Sequence, residues 1–180
     1  LVTHISAAMG AMTWMAIEWM RFGKPSALGL VTGMVAGLGT ITPASGFVGP
    51  GGALVIGMLA GAVCFGATMF LKRVLKIDDS LDVFPVHGVG GMLGTFLVGI
   101  FASTGLGVFS GYGFAEGINS MGGQVWVQII GILSVVIFTI VVTWGILKVV
   151  AAINGLRVGE DEEVEGLDIV LHEEKGYDIR

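Results

Sequence analysis

The stretch Lys76-Ile-Asp-Asp-Ser-Leu-Asp-Val-Phe-Pro-Val-His-Gly-Val-Gly-Gly91 opens in charge and closes in an apolar run that continues to Leu106. Asp78 and Asp79 stand beside Lys72, Arg73 and Lys76, where helix N-capping and boundary ion pairing are expected. Asp82 lies deeper, close to Pro85 and His87. Proline lacks an N–H, and its ring displaces the carbonyl four residues back, so either Leu81 loses a helical partner or the helix begins here. Either way, polar backbone reaches membrane depth, which is tolerated only inside protein or along a wet cavity. His87 has no charged partner in its own helix. An ionisable side chain inside an apolar span is costly and usually faces a pathway or a partner. Imidazole donates at one nitrogen and accepts at the other, which suits a polar solute or a proton. The alternative is a structural histidine bonded to a neighbouring helix.

Outward from this stretch the chain stays apolar. Of its 180 residues 54% are hydrophobic and only 13% charged, with a mean hydropathy of +0.89. That charge content is about half that of a soluble domain. Nine of the 14 acidic residues fall after Asn154, so an almost uncharged body carries an acidic tail. Five apolar segments are expected at about 2–20, 27–43, 53–71, 83–106 and 125–153, and a bilayer core needs roughly 20 apolar helical residues. The second is short and ends in Thr42-Pro-Ala-Ser-Gly-Phe-Val-Gly-Pro-Gly-Gly52, a run able to re-enter the membrane or line a vestibule. The fifth would be about 43 Å long as one helix and must tilt or project. The reading is an all-α, polytopic transmembrane bundle over residues 1–153, followed by a tail over 154–180.

Positive charge gives the orientation. Arg21 and Lys24 lie in the first link, none in the second, Lys72, Arg73 and Lys76 in the third, none in Ala102–Gln124, and Lys148 and Arg157 after the fifth segment. The alternation places the first residue outside and the tail in the cytosol. Glycines or alanines four apart (Gly29, Gly33, Gly37; Ala53, Gly57, Gly61; Gly90, Gly94) read as ridges of close helix packing. Glu18, near Arg21 and Lys24, is expected to form a boundary ion pair. His4 reads as an interfacial histidine, and the four tryptophans as belt or packing residues.

Other chemistry finds no support. There is no complete phosphate-binding glycine motif, so nucleotide binding is not indicated. No metal-ligand spacing and no nucleophile with a plausible base occur. A cofactor, an enzymatic activity and a nucleic-acid partner are not expected. The single cysteine, Cys64, reads as packing. Leu1 is not an initiator methionine, and the chain opens directly into a helical pattern, which reads as a truncation. The tail keeps Leu156, Val158, Val164, Leu167, Ile169, Val170 and Leu171 among its acids, more than a merely solubilising tail needs. It could dock on the cytosolic face or bind a partner.

Asp78 to Gly91, the Thr42–Gly52 run, Gly113-Phe-Ala-Glu-Gly117 and the tail from Gly155-Leu-Arg-Val to Gly-Tyr-Asp178 together resemble the ammonium transporter family (Amt, Mep and Rh), in family order and over essentially the whole chain. The tail is similar to that of the bacterial Amt branch. The resemblance implies helices seven to eleven of an eleven-helix protein whose first ten helices form two inverted five-helix repeats. It implies a homotrimer in the inner membrane, with a pore for ammonium or ammonia through each subunit. His87 resembles the second member of a twin-histidine pair in the pore, Val83 an apolar pore-lining position, and Asp82 a carboxylate at the cytosolic mouth. The tail, through Gly155, Leu156, Arg157, Asp168 and Tyr177, resembles a segment that senses PII signalling proteins. The first histidine, the outer recruitment site and the aromatic gate of the family have no counterpart in this chain. Two other readings stay open: an ammonium sensor on the same scaffold, and a different ion-coupled transporter.

Overall fold

A computed structural model describes residues 1–176. Among these residues the fold is all-α, with helices α1 (Val2–Phe22), α2 (Ala27–Ile41), α3 (Pro50–Leu75), α4 (Phe84–Phe101), α5 (Met121–Ile153), α6 (Glu160–Glu165) and α7 (Leu167–His172). Three of them, α3, α4 and α5, have the length and apolar composition to cross a membrane. The chain forms two compact units, one over residues 1–133 and one from Ser134 onward.

In the first unit α1, α2 and α3 pack on one another, and α4 closes against α2 and α3. Lipid tails are as apolar as leucine, so burial alone gives such helices little reason to associate. Close backbone approach supplies dispersion contact instead. The glycine ridges provide it. A Cβ added at Gly37 would fall onto the Ser6 carbonyl, and one at Gly57 onto the same atom from the α3 side. The Ser6 hydroxyl donates to the Gly37 carbonyl at 2.9 Å across this contact. A Cβ at Gly61 would lie 2.7 Å from the Gly10 carbonyl oxygen. Larger residues fill the remaining space in two clusters. Trp14, Ala36, Cys64, Phe65 and Val86 form one, with Trp14 edge-on to Phe65 at 5.2 Å. Ile41, Ala44, Val48, Ala53, Ile56, Leu97, Val98 and Ala102 form the other.

The link between α1 and α2 turns at Gly23, whose φ of 75° is left-handed and whose N–H reaches the Trp19 carbonyl. This reversal brings Ser26 over Glu18. Glu18 therefore makes no ion pair with Arg21 or Lys24, contrary to the charge-based expectation. It accepts the Ser26 N–H at 2.8 Å, the Ser26 hydroxyl at 3.0 Å and the Trp14 indole N–H at 3.3 Å. Ser26 in turn caps α2 by accepting the Gly29 N–H at 2.8 Å. Of the tryptophans, Trp14 is buried, while Trp19, Trp126 and Trp144 are exposed.

The Thr42–Gly52 run folds as tight turns and then opens α3 with Pro50 in the first helical turn, where a missing N–H costs nothing. It meets the α4–α5 connection through a lone antiparallel bridge between Val48 and Gly111, with the Tyr112 N–H on the Phe47 carbonyl at 3.0 Å. The fourth segment stops at Phe101 rather than continuing to Leu106, because Ala102 and Ser103 turn the chain so that their carbonyls accept the Gly113 and Gly111 N–H groups, each at 2.8 Å.

The second unit takes in the later part of α5 and the tail. α5 ends before Gly155, a left-handed residue with φ 77°. The first turn of α6 carries Glu160, Asp161, Glu162 and Glu163, a placement its dipole favours. Arg157 grips Glu163 through two guanidinium nitrogens, Nε at 2.5 Å and Nη2 at 2.8 Å.

Candidate functional site

The site is built at the start of α4. Lys76 and Asp82 are both left-handed, with φ of 53° and 56°, and they bracket the link between α3 and α4. Aspartate tolerates this conformation better than most residues. Between them Asp79 folds back, and its two carboxylate oxygens accept the Val83 and Phe84 N–H groups, each at 2.9 Å. Asp78 accepts the Ser80 hydroxyl at 3.0 Å. The helix thus begins at Phe84 with Val83 as its cap residue, and Pro85 falls in its first turn. Of the two possibilities left open by the sequence, the helix start is the one realised.

From Phe84 to Val89 the backbone is a π-helix, wider than the α-helix that follows from Gly90. Such turns are rare and concentrate at functional sites. The widened turn directs neighbouring side chains apart. Pro85 and Val86 are buried against α2 and α3, whereas Val83, Phe84 and His87 lie on the exposed side. Among the described residues the His87 imidazole makes no hydrogen bond. It rests beside Gly39 of α2, where an added Cβ would stand 3.9 Å from Nδ1. Further along α4, Gly90 approaches Thr40 Oγ1 and Cys64 Sγ, and Gly94 meets the Thr40 carbonyl. These two contacts fix α4 in register, and so fix the direction of His87.

Asp82 pairs with Lys72 at 2.8 Å, and its side chain is mostly buried, with 17% exposure. The expected boundary ion pairs of Asp78 and Asp79 do not form among the described residues. Asp79 is engaged by backbone N–H groups, and Lys72, in the π-helical turn Phe70–Leu75 that ends α3, reaches Asp82 instead. Val83 and His87 are four residues apart on the exposed side, and Asp82 lies just before them. In the tail, Leu156 is exposed, Arg157 holds Glu163, and the Asp168 carbonyl receives the Glu174 N–H at 2.9 Å in α7. Tyr177 lies outside the described residues.

Sequence reasoning missed Gly39. It is one glycine among 31 and stands off the Gly29–Gly33–Gly37 ridge. That offset was the only signal that it serves a different neighbour.

The profile of the family described as Ammonium Transporter Family matches residues 1–177. The chain is 41% identical to the ammonium transporter of Bacillus subtilis, over 97% of this chain and 43% of that protein. Among solved structures it is similar to the crystal structure of Saccharomyces cerevisiae Mep2, at 40% identity and a TM-score of 0.75, covering 89% of this chain and 36% of that one. It is also similar to a Sensor Amt Protein, at 32% identity and a TM-score of 0.79, covering 95% of this chain and 40% of that one. The chain spans about two-fifths of the length of the curated relatives it matches. With nearly every residue inside the family profile, and helices that superpose on solved members, the chain belongs to the ammonium transporter family.

Proposed function

We propose that the protein carrying this chain moves ammonium or ammonia across the inner membrane, along a largely apolar path lined by His87. The observation that carries the reading is the placement of His87. Its ring lies on the exposed side of α4 with no hydrogen bond among the described residues, in an otherwise apolar helix. An ionisable ring in an apolar span is costly and usually faces a pathway or a partner. A histidine that exchanges protons or contacts a passing solute needs an open nitrogen. Val83 lines the same path, and Asp82, steadied by Lys72, forms its cytosolic mouth. The rest of the pore, with the first histidine, the outer recruitment site and the gate, comes from protein outside this chain.

In this reading residues 1–153 are the membrane domain, with the first residue outside, and the complete protein is a homotrimer in the bilayer. The acidic tail is cytosolic and answers a PII-family signal protein through Gly155, Leu156, Arg157, Asp168 and Tyr177. The left-handed Gly155 and the Arg157–Glu163 pair give that segment a shape a partner can recognise.

Uptake of a labelled ammonium analogue by the full protein tests this. His87→Ala, expressed at the normal level, should lower uptake at least tenfold. Normal uptake in that variant would remove His87 from the pathway. The likeness to a Sensor Amt Protein favours a second reading, in which the same scaffold reports ammonium. Analogue binding without uptake would select it.

A further inference from the structure

We propose that Thr40 is a positioning residue for transport: its two oxygens pin α4 at Gly90 and Gly94, and its hydroxyl thereby sets the turn that carries His87. The inference rests on the reading of His87 as a pathway residue.

Thr40 lies near the end of α2 and is completely buried. Thr32 and Thr42, on the same stretch of chain, turn their hydroxyls back onto carbonyls four residues earlier, at 2.9 and 2.7 Å. This is the usual recourse of a threonine in a helix. Thr40 does not take it, and its hydroxyl oxygen has no hydrogen bond among the described residues. The hydroxyl faces the junction of α2, α3 and α4 instead. A Cβ built on Gly90 would stand 2.9 Å from Thr40 Oγ1 and 3.3 Å from Cys64 Sγ. One built on Gly94 would fall onto the Thr40 carbonyl oxygen. In glycine a hydrogen occupies that direction, so both oxygens of Thr40 meet a Cα–H of α4, a contact that recurs between closely packed helices. Cys64, Gly90 and Gly94 are buried as well. The junction is therefore closed by three helices of this chain and needs no part of the protein outside it.

Two features turn this contact from packing into placement. The hydroxyl is costly where it stands. A buried hydroxyl that meets only weak C–H donors is destabilising, whereas valine has nearly the same shape and no such penalty. Filling space alone gives no reason for threonine here. The second feature is the position of the contact. The π-helical turn Phe84–Val89 ends where regular helix resumes, at Gly90. Thr40 thus touches α4 at the first residue beyond the wide turn, and again at Gly94, about one turn further on. His87 lies inside the wide turn, three residues before the first contact. A shift of that boundary by one residue would swing the His87 side chain about 100° around the helix axis.

Thr40→Val and Thr40→Ser, made in the full protein and reconstituted in liposomes, test this. Valine keeps the volume and removes the hydroxyl. Serine keeps the hydroxyl and leaves a methyl-sized void. If Thr40 only fills space, serine is the worse variant in every assay. If its hydroxyl places α4, the order reverses for transport. Thr40→Val should unfold at the wild-type temperature or above. Its uptake of a labelled ammonium analogue should nevertheless fall about tenfold, the scale of loss expected from a slightly misplaced group. Thr40→Ser should unfold earlier and transport at close to the wild-type rate. Nitrogen NMR signals of the His87 imidazole should move in Thr40→Val and stay in Thr40→Ser. Should the valine variant fail to fold, Thr40→Ser against Thr40→Ala isolates the hydroxyl at nearly constant volume, with the same order expected. Uptake by Thr40→Val equal to or above that of Thr40→Ser overturns the proposal, as does an unmoved His87 signal. Normal uptake by His87→Ala would sink the pathway reading alone. The His87 signals, which do not depend on transport, would still decide whether Thr40 places the ring.

Discussion

Lys72 Nζ and Asp82 Oδ1 meet at 2.8 Å, joining the last turn of α3 to the residue just before α4. Each partner stands at a departure from regular helix. Lys72 is in a π-helical turn, and Asp82 is left-handed. The pair therefore closes the link over residues 76–82 and sets where the histidine-bearing helix begins. Lys72→Ala should destabilise the protein by about 1–2 kcal/mol, because it leaves a mostly buried carboxylate unpaired. Asp82→Asn keeps a residue that tolerates the left-handed conformation, so it isolates the charge. A double-mutant cycle on these two substitutions, read by thermal unfolding, should show coupling above about 0.5 kcal/mol. Additive effects would mean that the pair is a bystander.

Asp79 makes a separate contribution. Its two carboxylate oxygens hold the Val83 N–H and the first N–H group of α4, that of Phe84. Asp79→Ala should cost about 1–2 kcal/mol, the usual range for a lost N-terminal cap. Asp79→Asn retains one acceptor oxygen and should lie between alanine and wild type. Because the cap sets the start of α4, uptake should fall in the same order. A variant that unfolds earlier yet transports normally would separate the cap from the position of His87.

Much of this was legible in the sequence, for identifiable reasons. His87 stands out because an ionisable group in an apolar run is costly whatever the fold. Pro85 narrowed the local backbone to two possibilities, a freed Leu81 carbonyl or a helix start, because its ring forbids an interior position without compensation. The glycine ridges appeared because their four-residue spacing is the helical repeat itself. What stayed hidden depends on geometry that periodicity does not encode. The π-helical turns of α3 and α4 leave no pattern of their own. In the turn that ends α3, Lys72 meets Asp82 and Arg73 meets Phe22. Glu18 was assigned to the nearest cations in sequence, but the reversal at Gly23 gave it Ser26 instead. Charge proximity along a chain is a poor guide wherever a left-handed residue intervenes.

The ridges rank in cost by what an added methyl meets. At Gly37 it meets the Ser6 carbonyl, backbone on a facing helix that has no freedom to yield. At Gly90 it meets the Thr40 hydroxyl oxygen at 2.9 Å and the Cys64 sulfur at 3.3 Å, side-chain atoms able to rotate or shift slightly. Gly37→Ala should therefore destabilise by about 2–3 kcal/mol and Gly90→Ala by about 1 kcal/mol, the span usual for overpacking. Thermal unfolding of the purified variants gives the order directly. A reversed order would mean that α1 and α2 separate more easily than their contacts imply.

The Arg157–Glu163 contact at the start of α6 should depend on pH. The hydrogen bond from the Arg157 guanidinium holds the Glu163 carboxyl below its ordinary value of 4.5. A carboxyl whose folded-state value is lowered stabilises the folded form above the ordinary value. That stabilisation is lost as pH falls through the lowered one. The Arg157–Glu163 contact should thus be formed near neutrality and loosen only in acid. Because the pair is solvent-exposed, its contribution should be small and should shrink in high salt. Carboxyl NMR titration of Glu163 should show its midpoint rising toward the ordinary value in Arg157→Gln. Amide exchange at Gly166, whose N–H bonds the Glu162 carbonyl at the end of α6, should quicken in the same variant at neutral pH. An unchanged Glu163 midpoint would show that Arg157 does not govern the carboxyl. The ordering of α6 would then rest on its acidic first turn alone.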